Sequence, residues 1–332
     1  MTSKHLASFI PLFSTYHYQI GNMVPSAMNP SMENWFINEC ILLKCSASFL
    51  YTFSPPEVNV ENTSFFENPN LNINEINIEV GYDELLNNIK KAINNDSYVY
   101  FCGSDDFYLP GKSFYDKTHI NHDGLICGYD DKSQVLDILA YDSNWICRII
   151  PTTYSDFEKS LQNLIVDRKW FGFIKSIKVD RALVNIDYYR IRSLLTMYLS
   201  RNKYKFDPMN DQYPILGIDV HDYICKYLES ISNGFILYEE SDWRIFRIFW
   251  EHKKSMFQRI KRIEAEFGSD KGLAEEYKNI VDVSNTIRLM FARYMQKRDD
   301  NLFNYIHDKI NDITVNEEYI LSNIVNLLYK KL

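Results

Sequence analysis

Hydrophobic positions recur along this 332-residue chain with two different periods, and the change falls near residue 180. Before it, segments with apolar residues three and four apart alternate with short runs of branched and aromatic residues. After it, nearly every segment reads at helical spacing. The pattern predicts an α+β domain over 1–180 followed by a mostly helical domain over 181–332.

In the first part, Pro30 to Lys44 reads as a helix with Pro30 in its first turn and Trp35, Phe36, Cys40 and Leu43 along one side. An apolar extension runs from Cys45 to Phe53 before Pro55-Pro56 breaks it. The Asn-rich stretch from Asn59 to Asn77 predicts a surface loop, with a short strand from Ile73 to Val80. Tyr82 to Asn94 is an amphipathic helix. Strands are expected at Tyr98 to Cys102, Gly124 to Tyr129, Gln134 to Tyr141 and Trp145 to Ile150, the second and third joined by the turn Asp130-Asp131-Lys132-Ser133. A helix from Tyr154 to Leu164 and a strand from Trp170 to Val179 follow. The second part predicts helices over Val184 to Arg201, Ile218 to Ile231, Trp243 to Phe267, Leu273 to Lys297, Leu302 to Asn311 and Val315 to Tyr329. Thr314 and Glu317 read as a capping box opening the last one.

Composition narrows the function. At 46% hydrophobic and 24% charged residues the chain is that of a globular protein, and its net charge of -8 is the wrong sign for binding nucleic acid through phosphates. Its 6 Cys contain no C-x-x-C pair, which argues against a zinc site or a disulfide framework, and no metal or bound cofactor is expected. Cys102, Cys127 and Cys147 sit in apolar runs, as small buried hydrophobes do in a reducing compartment. Met1 to Phe13 lacks a signal-peptide pattern, and no stretch is apolar enough to span a bilayer. A cytoplasmic protein with no membrane partner is expected.

The sharpest local signal is His122-Asp123-Gly124-Leu125-Ile126-Cys127-Gly128-Tyr129-Asp130-Asp131, with Asp142 closing the neighbouring strand. A His opening one strand and an acid ending its hairpin partner meet at one sheet edge, where the carboxylate fixes the imidazole tautomer and leaves the other nitrogen to exchange protons. The competing reading is that both residues only cap turns.

This stretch resembles the His-strand-hairpin-Asp part of C39-like, papain-fold cysteine enzymes. More narrowly, Gly81-Tyr82-Asp83-Glu84-Leu85-Leu86, Asp105-Asp106-Phe107-Tyr108-Leu109-Pro110, His119, His122 and Gly128-Tyr129-Asp130 resemble the butirosin biosynthesis protein H type of N-terminal domain over roughly residues 10 to 180. The resemblance implies a papain-like fold and an acyltransferase. Such an enzyme takes an acyl group from the phosphopantetheine thioester of an acyl or peptidyl carrier protein and forms an amide with a small amine, in antibiotic or nonribosomal-peptide biosynthesis. It also implies a Cys-His-Asp triad with the Cys at the start of the first long helix, and a Gln upstream holding the oxyanion.

Here the chain departs from the pattern. Gln19 is the only Gln in the region, and counting onward gives Pro25-Ser26-Ala27-Met28-Asn29-Pro30 with no Cys before Cys40. A thiol at Ala27 would stand at the N-terminus of a helix starting near Pro30, where the helix dipole favours a thiolate. The catalytic set expected from the resemblance is therefore Ala27 in place of the nucleophile, His122 as base, Asp142 orienting it and Gln19 at the oxyanion. Four explanations of the missing thiol stay open: a Cys-to-Ala change at 27, Cys40 or Cys45 as nucleophile, Ser26 as nucleophile, or a natural pseudoenzyme that binds without turnover. A cysteine peptidase or amidase on the same scaffold is the remaining alternative. His119 is assigned a structural or substrate-side role; Asp105 and Asp106 follow the strand ending at Cys102 and either line the same edge or, the favoured reading, form a solvated turn. The cluster His252, Lys253, Lys254, Arg259, Lys261 and Arg262 reads either as a face for an acidic carrier protein or as the wet side of a helix.

Overall fold

The computed structural model describes residues 2–46, 52, 54–166, 172–180, 183–201, 214–268, 272–299 and 301–332. The chain is mixed α and β and divides into two units, neither contiguous in sequence: Met1–Glu33 with Thr63–Leu183, and Asn34–Asn62 with Val184–Leu332. The change of period near 180 matches one boundary. Periodicity gives no sign that residues 34 to 62, inside the expected first domain, pack with the second.

The first unit is built on an antiparallel seven-stranded sheet. Its strands are β1 (Ser3–His5), β4 (Leu71–Ile76), β5 (Tyr98–Asp105), β6 (Asn121–Asp130), β7 (Val135–Tyr141), β8 (Cys147–Thr153) and β9 (Phe173–Val179), in the order β4-β9-β5-β6-β7-β8 with β1 beside β6. The hairpin turn after Asp130 appears as expected. The last strand's expected start at Trp170 lies outside the described residues. Helix α1 (His17–Ser26) was not legible from periodicity, since Gly21 and Pro25 depress its helix propensity. Burial overrides that: every residue from Gln19 to Ser26 is buried. Gly21 makes the approach possible, because a Cβ there would lie 2.8 Å from Tyr100 and 3.1 Å from Phe65. Helix α3 (Tyr82–Asn94) precedes β5, and on the other face of β5 Phe101 packs edge-on to Phe157 of α4 (Tyr154–Val166), at 5.3 Å between centroids. Helices thus cover both faces, which explains why Tyr98 to Phe101 is apolar throughout rather than alternating.

The expected helix from Pro30 to Lys44 is shorter. α2 (Met32–Glu39) ends early, and the chain turns into β2 (Leu43–Cys45), which pairs with β3 (Val58–Val60) and β10 (Ile215–Leu216). The backbone carbonyls at the end of α2 find their partner in Arg259, whose fully buried guanidinium donates to Ile37 at 2.7 Å, Cys40 at 2.9 Å and Phe36 at 3.2 Å. Burial lowers its pKa to about 10.

Helices α5 (Tyr188–Leu199), α6 (Val220–Ser232), α7 (Arg244–Phe267), α8 (Leu273–Lys297) and α9 (Asn301–Lys331) complete the second unit. All five contribute to one buried polar network. Lys253 Nζ donates to Glu317 Oε2 at 2.7 Å, His221 Nε2 at 2.9 Å and the Tyr198 hydroxyl at 3.0 Å, so each ammonium proton has an acceptor. The hydroxyls of Tyr198 and Tyr277 both donate to Glu317. Thr314 spends its proton on the Ile310 carbonyl and therefore accepts from His221 Nδ1 at 2.8 Å, which fixes a neutral Nδ1–H tautomer. Burial and the Lys253 charge hold His221 well below its ordinary pKa, in keeping with that tautomer. Two expectations are corrected. The last two helices are one, with Thr314 and Glu317 in its interior serving the network instead of a cap. His252, Lys253 and Arg259 are fully buried, so the basic cluster is not a single surface face.

Candidate functional site

The two strands that carry the site are shifted by a bulge. β5 and β6 pair Phe101 with Gly124 but Ser104 with His122, and Gly103, at φ 93, sits in the irregular stretch. The displaced register carries β5 on to Asp105 and places it opposite Asn121, while the Asp106 N–H donates to the Ile120 carbonyl at 2.9 Å. Two acids at the end of β5 therefore face two histidines before and at the start of β6. His122 Nδ1 lies 2.6 Å from Asp106 Oδ2, and His119 Nδ1 lies 2.7 Å from Asp105 Oδ2. Both carboxylates are 1% exposed, against 29% for the His122 side chain and 57% for His119.

A carboxylate at Asp106 only accepts, so the neutral tautomer of His122 that fits this contact carries its proton on Nδ1 and has its lone pair on Nε2. Nε2 has no hydrogen-bond partner among the described residues. Lys112, itself 5% exposed, stands 3.5 Å from the other Asp106 oxygen. Burial lowers the Lys112 pKa, and Asp106 and Asp123 oppose that. The His122 ring is flanked by Phe114 at 5.7 Å and by His17 at 6.2 Å, and His17 packs edge-on to Tyr141 at 5.3 Å. His119 stacks on Phe107 at 4.2 Å.

Of the four residues expected to converge, His122 is the one found at the start of its strand against a buried carboxylate. Its partner is Asp106 and not Asp142. Asp142 is buried and caps its own turn: Oδ1 accepts the N–H groups of Asn144 at 2.8 Å and Ile146 at 2.9 Å, and Oδ2 lies 2.6 Å from Arg148. Burial raises the Asp142 carboxyl, but the N–H groups of Ile146 and Asn144 and the Arg148 charge outweigh it and hold the group below its usual range. Ala27 is the C-cap of α1, at the wrong pole of the helix dipole for a thiolate. The residue that begins α1 beside His122 is His17; ten residues at 1.5 Å rise put Ala27 about 15 Å further along the axis. Gln19 is fully buried. Its Oε1 accepts the Tyr16 N–H at 3.0 Å in a capping box that opens α1, and its Nε2 donates to Thr63 at 3.2 Å.

The alternative nucleophiles fare no better. Ser26 is buried in the last turn of α1 among Asn22 and Asn68, and Cys40 and Cys45 are buried in the second unit. Burial, with a contribution from Asp123, pushes the Cys102 thiol up to about 12; burial does the same to Cys127 and Cys225. None of these three is poised as a thiolate.

Sequence reasoning missed Lys112 and His17, and it favoured a solvated turn for Asp105 and Asp106, whose carboxylates are buried against His119 and His122. The signal for Asp106 was present: two adjacent acids ending one strand and two histidines three apart entering the next. Among the described residues no group of three or more His, Cys, Asp or Glu could hold a metal ion, and no helix is long and apolar enough to cross a membrane. No family model and no curated protein matches the chain.

Proposed function

We propose that the first unit is a papain-like acyl-transfer domain that works without a thiol nucleophile, moving an acyl group from a carrier-protein thioester directly to a small amine. The observation that carries this reading is the 2.6 Å contact of His122 with buried Asp106, which leaves Nε2 with no partner among the described residues. Amine nitrogen attacks the thioester carbonyl, and His122 Nε2 takes the proton released by the nitrogen. The tetrahedral intermediate then expels the thiolate, which receives that proton from the imidazolium. Thioester and amine become amide and thiol, with nothing left over. Asp106 stabilises the imidazolium in between.

His17 at the start of α1 favours a second reading. In the resembling enzymes that position is where a Cys is expected, so the domain would bind acylated carrier without turnover.

One experiment separates the two. The purified chain is given an acyl-pantetheine thioester and a primary amine, and thiol release, amide and intact mass are followed. Amide formation is expected to fall on the order of 100-fold or more in His122→Gln and Asp106→Asn, to persist in Cys102→Ser, and to proceed with no acylated protein. An acylated cysteine, or full turnover in His122→Gln, overturns the proposal. Saturable binding of acylated carrier with no turnover establishes the binder.

A further inference from the structure

Lys112 stands in the segment between β5 and β6, and that segment is pinned on both sides of it. The Gly111 carbonyl accepts the Ser143 N–H at 2.8 Å, and the Ser113 hydroxyl donates to the Asp142 carbonyl at 3.1 Å. The turn that Asp142 caps therefore clamps the segment, and the Lys112 side chain between the two clamps is 5% exposed. Its ammonium lies 3.5 Å from Asp106 Oδ1, which forms no hydrogen bond among the described residues. Oδ2 of the same carboxylate lies 2.6 Å from His122 Nδ1. Lys112 has no other ion pair among the described residues.

One buried carboxylate thus lies between two basic groups. With only an imidazole beside it, such a carboxylate is neutralised most readily when the imidazole takes a second proton, which occupies Nε2 and turns the base into half of an ion pair. Lys112 alters that. Ammonium and carboxylate already sum to zero, and a protonated His122 would add a positive charge beside a carboxylate that is 1% exposed and already paired. The surrounding groups do not reverse this. Asp142 is engaged by Arg148 and by its own turn, Asp105 faces His119, and Cys147 is buried near Lys112. His17, with its ring 6.2 Å from that of His122, can add only a like charge. Burial lowers the Lys112 pKa, and Asp106 and Asp123, the latter accepting from the Tyr100 hydroxyl at 2.5 Å, oppose that.

We propose that Lys112 is a positioning residue for His122: by supplying the counter-charge to Asp106 it keeps the resting imidazole neutral, with the Nε2 lone pair open to a substrate. Lys112 itself is too buried to meet a substrate, so it acts only through the carboxylate it shares with the histidine. The charge relation holds whether the domain acylates an amine or only binds; its bearing on turnover rests on the acyl-transfer reading.

The test reads the His122 ring directly, by two-bond proton–nitrogen NMR correlation of the full chain labelled with 15N-histidine, titrated from acid to alkaline pH, with His122→Gln to assign the signals. Lys112→Met and Lys112→Gln should each move the His122 midpoint upward by about one pH unit or more, the effect of removing a unit charge roughly 8 Å away at an effective dielectric constant of about 20. Lys112→Arg keeps the charge and should hold the midpoint near that of the parent chain. Lys117→Met, at an exposed lysine, should not move it. Thermal melts confirm that each variant is folded. The parent chain supplies a check that needs no substitution: the Lys112 side-chain resonances should be those of an ammonium at pH 7, and a neutral amine there overturns the proposal. Amide formation from an acyl-pantetheine thioester and a primary amine gives a second readout. Lys112→Met should lose about tenfold on the acid side of the pH profile and regain the parent rate at the alkaline plateau, whereas a purely structural role lowers the rate at every pH. A parent chain that forms no amide overturns the acyl-transfer reading and leaves the imidazole titration to decide the role of Lys112. A His122 midpoint that stays level or falls in folded Lys112→Met and Lys112→Gln overturns the proposal.

Discussion

Replacing Lys253 by Met removes the cation at the centre of the five-helix network and leaves its partners in place. Glu317 keeps the hydroxyls of Tyr198 and Tyr277 but loses its counter-charge, and His221 Nε2 loses its donor at 2.9 Å. Lys253 and Glu317 are both fully buried, so water cannot compensate. Breaking a buried ion pair by deleting one partner costs about 3–5 kcal/mol. For a unit of about 180 residues this corresponds to a fall in melting temperature of roughly 6–20 °C. Glu317→Leu alone should cost a similar amount. The double variant Lys253→Met/Glu317→Leu should cost less than the two singles combined by about 2 kcal/mol or more, since no uncompensated charge remains. Urea denaturation followed by far-UV circular dichroism measures all three. A single variant within about 0.5 kcal/mol of the parent chain, as at an ordinary surface site, or strict additivity in the double, would show that the network is not electrostatically closed.

Two further outcomes are expected. His221 and His252 are both held well below their ordinary pKa, by burial first and the Lys253 charge second, so the unfolded chain binds more protons once the pH drops below about 6.5. Stability is full above that pH and declines below it by up to about 1.4 kcal/mol per unit for each histidine; denaturation midpoints that stay level from pH 8 to pH 5 contradict the neutral, buried assignment. Gly217 has φ +68, and a Cβ there would lie 2.4 Å from the Tyr198 carbonyl oxygen, whereas Gly234 at φ +73 faces open space. Gly217→Ala should therefore cost about 2 kcal/mol or more and Gly234→Ala only about 1 kcal/mol, and equal losses in chemical denaturation would rule out the steric argument.

What could be read in advance was what periodicity encodes. The helix from Leu273 to Lys297 and the strand ending at Tyr141 were legible because a regular apolar pattern and a local boundary signal coincide there. α1 was not, because a helix carrying Gly21 and Pro25 is held by burial against Tyr100, a contact nearly eighty residues away in sequence. Thr314 looked like a cap because Thr-x-x-Glu fits one, while its actual partner, His221, lies on another helix. At the site, His122 was found because it adjoins an apolar strand. Its partner was mistaken because strand-end spacing says nothing of side-chain direction. A bulge at Gly103 set Asp106 against the imidazole, while Asp142 curled onto its own backbone.

The interleaved boundaries of the two units have a consequence for how the chain is made. Residues 34 to 62, including the β2 and β3 pair, leave the ribosome before Val184–Leu332, the remainder of their unit. About 120 residues separate the two portions, which at roughly 5–20 residues per second is a wait of several seconds or more. Throughout that wait Ile41, Leu42, Leu43, Val58 and Val60, all buried in the finished protein, lack the helices of their own unit, and the carbonyls that close α2 lack Arg259. The nascent chain therefore carries an apolar hairpin whose partners have not yet been synthesised, and this is where a chaperone or a codon-paced pause would act.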